Sequence, residues 1–220
     1  LFPGSICLYT KVTELLARRL SPQRVHDDPQ TIRFTDVGSG AGAVVLAMAV
    51  LSMHLGWEVS GVERDPSLHN ANCMWLSNIE RACPAMKHSL EELRRRITLH
   101  EVGAGESVHP IVRGANVIFC NNYLFKAQVC SQRGILSSVN GVISKAFCEC
   151  DVGTIVVTTC ELDYDAPNGR ALRKVSSFVF PKHSFSWPGE ITGFVHEVQD
   201  NSGTSGLRSS NRASTVQAQL

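Results

Sequence analysis

Seven residues, Asp36-Val37-Gly38-Ser39-Gly40-Ala41-Gly42, constrain this chain more than any other stretch of it. A β-rich run, Thr31-Ile32-Arg33-Phe34-Thr35, enters them and an apolar, helix-compatible run from Val44 to Leu51 leaves them. They read as a strand, a glycine turn and a helix start. Glycine there lets the backbone fold back tightly and approach a ligand closely. Unpaired first-turn amides and the helix dipole then favour a negative group on that ligand. A tight turn that binds nothing is the plainer alternative.

The surrounding pattern extends this unit. Leu8, Val12, Leu15 and Leu16 share one face of a helix predicted from about Ser5 to Leu20, closed by Ser21-Pro22 and His26-Asp27-Asp28-Pro29. Trp57 to Glu63 reads as a second strand, followed by the turn Arg64-Asp65-Pro66 and a long helical stretch broken near Pro84. Ile97 to Val102 is a predicted third strand, Asn116 to Cys120 a fourth and Gly141-Val142-Ile143-Ser144 a fifth. Alternating strands and helices imply parallel βαβ units in an open doubly wound sheet. Beyond them, Gly153–Cys160 and Ile191–Val198 are strand-like with no good helix between, and only Pro167-Asn168-Gly169 and a short run at Phe178-Val179-Phe180 intervene. The fold expected is therefore α/β, a seven-stranded, mostly parallel, Rossmann-like sheet whose last strand inserts antiparallel. Residues 1–30 are read as an N-terminal helix and cofactor-covering loop, 31–200 as the catalytic domain and 201–220, rich in Ser, Gly, Thr, Asn and Gln, as a disordered tail.

Composition excludes little. A formal net charge of +1 announces no nucleic acid, and Arg18-Arg19 and Arg94-Arg95-Arg96 read as solvated helix faces. Eight cysteines without a secretory apolar region fit reduced thiols inside a cell. Cys148, Cys150 and Cys160 lack zinc-finger spacing, so no metal is expected there and the thiols read as small hydrophobes. No membrane association is expected.

Two cofactor classes compete for the glycine turn. Gly38, Gly40 and Ala43 satisfy the G-x-G-x-x-A form of the dinucleotide fingerprint, a weak signal alone. Asp36, two residues before the first glycine, argues against it, because a pyrophosphate is repelled by a carboxylate and an ammonium is attracted. S-adenosylmethionine carries that ammonium, a carboxylate for the turn amides, and a ribose diol. Glu63, at the end of the second strand, is placed to accept hydrogen bonds from both ribose hydroxyls.

A more particular feature follows the fourth strand. Asn121-Asn122-Tyr123-Leu124-Phe125 resembles the Asn-Asn-aromatic segment of the Dot-one family, the non-SET histone-lysine methyltransferases named for disruption of telomeric silencing. Asp36–Gly42 resembles that family's cofactor loop, Gly61-Val62-Glu63-Arg64 its ribose-binding strand end, and Val142–Phe147 its fifth strand. Asp151–Ile155 and Ser184-Phe185-Ser186-Trp187-Pro188-Gly189 resemble its last segments. Departures exist: Phe2–Ile6 stands where the family has a Gly-Glu-Thr-like loop, and Ala43 where it often has a glutamine. The acid that meets the adenine amine is missing near Gly103 and Ala104, with Glu101 and Glu106 close by.

The resemblance implies a nuclear histone-lysine N-methyltransferase that uses S-adenosylmethionine to modify a lysine in the nucleosomal core of histone three. Contact with nucleosomal DNA is expected through regions outside or at the ends of this chain. Cofactor contacts fall on Asp36, Gly38, Ser39, Gly40, Gly42, Glu63 and Asn121, and the reacting centre on Asn121, Phe125 and Trp187. Phe194, Val142 and Ser144 are further candidates for the walls of the lysine channel. A methyltransferase acting on another protein or a small molecule, and a catalytically weak cofactor-binding homologue, are the alternatives.

Overall fold

A computed structural model of the chain describes residues 3–19, 31–103, 108–123, 125, 129–132, 135–162, 164–167, 169–184 and 189–201. The chain opens with helix α1 (Pro3–Arg19), whose Leu8 and Val12 are fully buried and whose Leu15 and Leu16 pack beside them. Strand β1 (Arg33–Val37) leads through the glycine turn into α2 (Ala43–Leu51). Strand β2 (Glu58–Glu63) is followed by α3 (Pro66–Ala82), which begins where the Asp65 carboxylate accepts the Ser67 and Leu68 amides and Pro66 fits the first turn. Pro84 then ends the helical run, as its missing amide and fixed φ require; one 3₁₀ turn (Pro84–Met86) separates α3 from α4 (Lys87–Arg96).

Strand β3 (Ile97–Glu101), the single turn α5 (His109–Val112) and strand β4 (Val117–Cys120) come next. A separate hairpin, β5 (Val129–Gln132) with β6 (Ile135–Ser138), precedes α6 (Val139–Cys148). Strands β7 (Ile155–Thr158), β8 (Tyr164–Asp165), β9 (Arg170–Phe180) and β10 (Ile191–Asp200) complete the fold.

The main sheet runs β3-β2-β1-β4-β7-β10-β9-β8. Strands β3, β2, β1, β4 and β7 are mutually parallel, and β10 inserts antiparallel between β7 and β9. That is the expected doubly wound, mostly parallel arrangement with an inserted antiparallel strand, but with eight strands rather than seven among the described residues: β9 and the two-residue β8 on its outer edge are gained, and the strand expected at Gly141–Ser144 is lost. The short run at Phe178–Phe180 belongs to the 11-residue β9, a full partner of β10.

The fifth predicted strand is wrong. Gly141–Ser144 lies inside α6, and Ile155–Thr158 takes the fifth parallel place. Val139, Val142, Ile143, Ala146 and Phe147 recur at helical spacing and all are buried, while the Ser138 hydroxyl accepts the Gly141 amide and starts the helix. Val142–Phe147 is thus a helix where the family resemblance implied a strand. The apolar residues fall into two layers. Phe34, Val59, Phe119 and Val157 pack under α1, α2 and α4; Val37, Val62, Ile118 and Val156 pack under α5 and α6.

Candidate active site

An open α/β sheet binds ligands outside the carboxyl ends of its strands, at the point where strand order reverses. Here that point lies between β1 and β4. Asp36–Gly42 leaves one of these strands and Asn121–Phe125 the other. Val37 pairs directly with Cys120, so the two predicted site segments depart side by side.

The glycine turn has the backbone the sequence requires. Gly38, Gly40 and Gly42 have φ values of 79°, 55° and 84°, the left-handed region that suits glycine. The Gly38 and Ser39 amides donate to the Val62 carbonyl, at 2.8 and 2.9 Å, tying the turn to β2. Space is restricted as well. A Cβ on Gly42 would lie 1.9 Å from Asn72 Oδ1, and one on Gly38 would lie 3.0 Å from the ζ carbon of the Phe125 ring. The first contact exposes a residue that sequence reasoning missed. Asn72 is buried on α3 and donates to the Ser39 hydroxyl at 3.4 Å; a polar residue on the inner face of an amphipathic helix was its one signal.

Two carboxylates flank the turn. Glu63, half-buried, accepts the Gly40 amide through Oε2 and the Asp65 amide through Oε1, both at 2.8 Å. Each oxygen keeps a second lone pair with which to meet a diol. Asp36 is different, because burial, reinforced by the Glu63 charge, pushes its carboxyl from 3.8 up to about 8. Such a carboxyl is protonated at neutral pH until a cation comes to it. Glu101 sits exposed at the end of β3, in register with Glu63; Ala104 and Glu106 fall outside the described residues.

On the acceptor side the two asparagines have divided roles. Asn122 has no exposed surface. Its Oδ1 accepts the Thr159 and Cys160 amides at 3.0 and 2.7 Å, and its Nδ2 donates to the Cys160 carbonyl and Asn140 Oδ1. It clamps the end of β4 to the end of β7. Asn121 is half-buried, and its Oδ1 accepts the Thr159 hydroxyl at 2.8 Å. Phe125, partly buried, lays its ring against Gly38. Phe194, on β10, pairs in register with Thr158 of β7, with the Lys174 ammonium 5.7 Å from its ring centroid. Val142 and Ser144 are buried on α6, where the Ser144 hydroxyl donates to the Asn140 carbonyl, so they are helix-packing groups. Trp187 lies outside the described residues.

A model of the histone methylation protein DOT1 family matches residues 21–194. The chain belongs to the DOT1 family. It is therefore a methyltransferase dependent on S-adenosylmethionine, and the dinucleotide reading of the glycine turn falls away. The residues present fit that cofactor: a buried carboxyl for an ammonium, a glycine turn that is open at Gly40, where a Cβ would meet nothing within 4 Å, and Glu63 for a diol. A search of curated proteins finds no significant match. Among solved structures, the precorrin-6y C5,15-methyltransferase of Geobacter metallireducens is 13% identical, with 84% of this chain and 87% of that chain covered and a TM-score of 0.41. A glycopeptide N-methyltransferase, MtfA, complexed with S-adenosylmethionine is 12% identical, with coverages of 87% and 93% and a TM-score of 0.44. The rRNA methyltransferase aviRa of Streptomyces viridochromogenes is 10% identical, with coverages of 86% and 84% and a TM-score of 0.47.

Proposed function

We propose that this DOT1-family protein transfers a methyl group from S-adenosylmethionine to a lysine in the nucleosomal core of histone three, in the nucleus. One observation carries the reading: Phe125, from the segment assigned to the acceptor, rests on Gly38 of the donor turn. The segments assigned to donor and acceptor therefore lie against each other.

Bound S-adenosylmethionine supplies a methyl group on a sulfonium. The chain's residues hold and align the partners. Asp36 takes the ammonium, the turn at Gly38, Ser39, Gly40 and Gly42 approaches the methionine end, and Glu63 accepts from the ribose. In-line displacement needs a neutral amine held close to the methyl. An apolar wall disfavours the lysine ammonium and so lowers the cost of losing its proton. Phe125, Trp187 and Phe194 are assigned to that wall, and their faces also attract cationic groups. Asn121 orients the reacting groups through its amide. Nucleosomal DNA is expected to meet the ends of the chain or regions beyond it.

An acceptor panel tests the proposal. With labelled cofactor, nucleosomes should accept methyl in preference to non-histone proteins and small metabolites. Transfer to a metabolite with none to any histone would replace the acceptor while leaving the donor site intact.

A further inference from the structure

The structure assigns Thr159 as a positioning residue for methyl transfer, fixing which end of the Asn121 amide faces the reacting groups. The inference rests on the proposed role of Asn121.

Asn122 holds both the Thr159 and the Cys160 amides, so the backbone at Thr159 is fixed from below. The Thr159 hydroxyl accepts the Tyr123 amide at 3.1 Å. It has a single proton to give, and two acceptors lie within reach: Asn121 Oδ1 at 2.8 Å and Asn122 Oδ1 at 3.3 Å. Asn122 Oδ1 already receives two amides, and the nearer oxygen is that of Asn121. The proton therefore goes to Asn121, and the Asn121 oxygen must face Thr159.

A carboxamide is planar, so fixing its oxygen fixes its nitrogen. Were the amide flipped, its NH₂ would face a hydroxyl already accepting the Tyr123 amide, and the hydroxyl proton would be left with the crowded Asn122 oxygen. The network thus selects one orientation, in which the two Asn121 N–H donors point away from β7. Thr159 also suits the task by its shape, because β-branching restricts χ1 and holds the hydroxyl in place. Asn122, the other member of the pair, acts one step further back by holding the backbone that carries Thr159.

The test compares Thr159→Val, which keeps the shape and loses the hydroxyl, with Thr159→Ser, which keeps the hydroxyl. Asn121→Ala and the Asn121→Ala/Thr159→Val double variant complete the cycle. Thr159→Val should lower kcat for methyl transfer to nucleosomes by roughly ten- to a hundredfold with little change in the KM for S-adenosylmethionine. Thr159→Ser should recover most of the rate, and Thr159→Val should add nothing once Asn121 is alanine. An acceptor-free readout runs beside it. The Asn121 side-chain NH₂ resonance, assigned by its loss in Asn121→Ala, should shift on adding S-adenosylmethionine in the wild type and the serine variant but not in the valine variant. An unchanged Asn121 resonance response in Thr159→Val, or wild-type kcat in that variant while Asn121→Ala is impaired, overturns the positioning role and leaves the Asn121 reading standing. Wild-type turnover in Asn121→Ala overturns that reading and, with it, the role of Thr159.

Discussion

Asp36→Asn should make the protein more resistant to unfolding at alkaline pH while weakening its hold on the cofactor. The carboxyl sits at about 8 in the folded chain against an ordinary 3.8, raised first by burial and then by Glu63. A raised value means that the folded state keeps a proton the unfolded state gives up. The corresponding stability is complete below the unfolded value, declines as pH rises through the window, and is fully lost above the folded one. At ~1.4 kcal/mol for each tenfold change in proton activity, the wild type loses up to about 4 kcal/mol between about pH 5 and about pH 8 that an uncharged asparagine does not lose. Urea unfolding of both proteins across that range measures the difference directly. A gap that widens by about 2 to 4 kcal/mol with rising pH is expected. Cofactor binding supplies the complementary half. An ammonium draws the proton off Asp36, so calorimetry near neutral pH, in buffers of different ionisation enthalpy, should show close to one proton released per cofactor bound in the wild type. Asp36→Asn should release none and bind roughly ten- to a hundredfold more weakly, the range for losing a charge-assisted hydrogen bond. A stability gap independent of pH, together with unimpaired binding by Asp36→Asn, would refute the reasoning.

Other consequences are sharp enough to measure. Gly42→Ala places a Cβ 1.9 Å from Asn72 Oδ1 at a φ of +84° and should cost about 2 kcal/mol or more in chemical denaturation, with Asn72→Ala recovering part of the loss in the double variant. Asn122→Ala strips the Thr159 and Cys160 amides of a buried acceptor and should cost about 2 to 4 kcal/mol by the same assay. Glu63→Gln should raise the cofactor Kd by roughly tenfold in calorimetry, because one carboxylate oxygen becomes a donor facing the ribose. Among the described thiols, the exposed Cys73 and Cys83 should be modified first by a thiol reagent at neutral pH. Cys120 and Cys150 should react only on unfolding, since burial raises both thiols, Cys150 to about 12.

Much of this architecture was legible in the sequence because its signals are local. The glycine turn, the Asp65-Pro66 helix start and the break at Pro84 each depend on one or two residues whose backbone preferences are strong. The inserted antiparallel β10 followed from two strand patterns with no crossover helix between them. The reading failed at Gly141–Ser144, a short apolar run that strand and buried-helix periodicity describe equally well; the deciding features were the Ser138 cap and burial of residues on both sides of the run. In the site, residue type and place on a strand end singled out Asp36, Glu63 and Asn121 as candidates. Sequence offered no way to divide labour between Asn121 and Asn122, because that division is made by Thr159 and Cys160, which lie 37 and 38 positions from Asn122. Asn72 escaped for the same reason: its partner, Ser39, is 33 positions away.

Peptide mass spectrometry of histones recovered from nucleosomes, after incubation with the protein and isotopically labelled S-adenosylmethionine, tests the central claim most directly. The account predicts labelled methyl on a lysine in the core of histone three. Labelled methyl on other acceptors alone, or on no histone while calorimetry shows the cofactor bound, would contradict it.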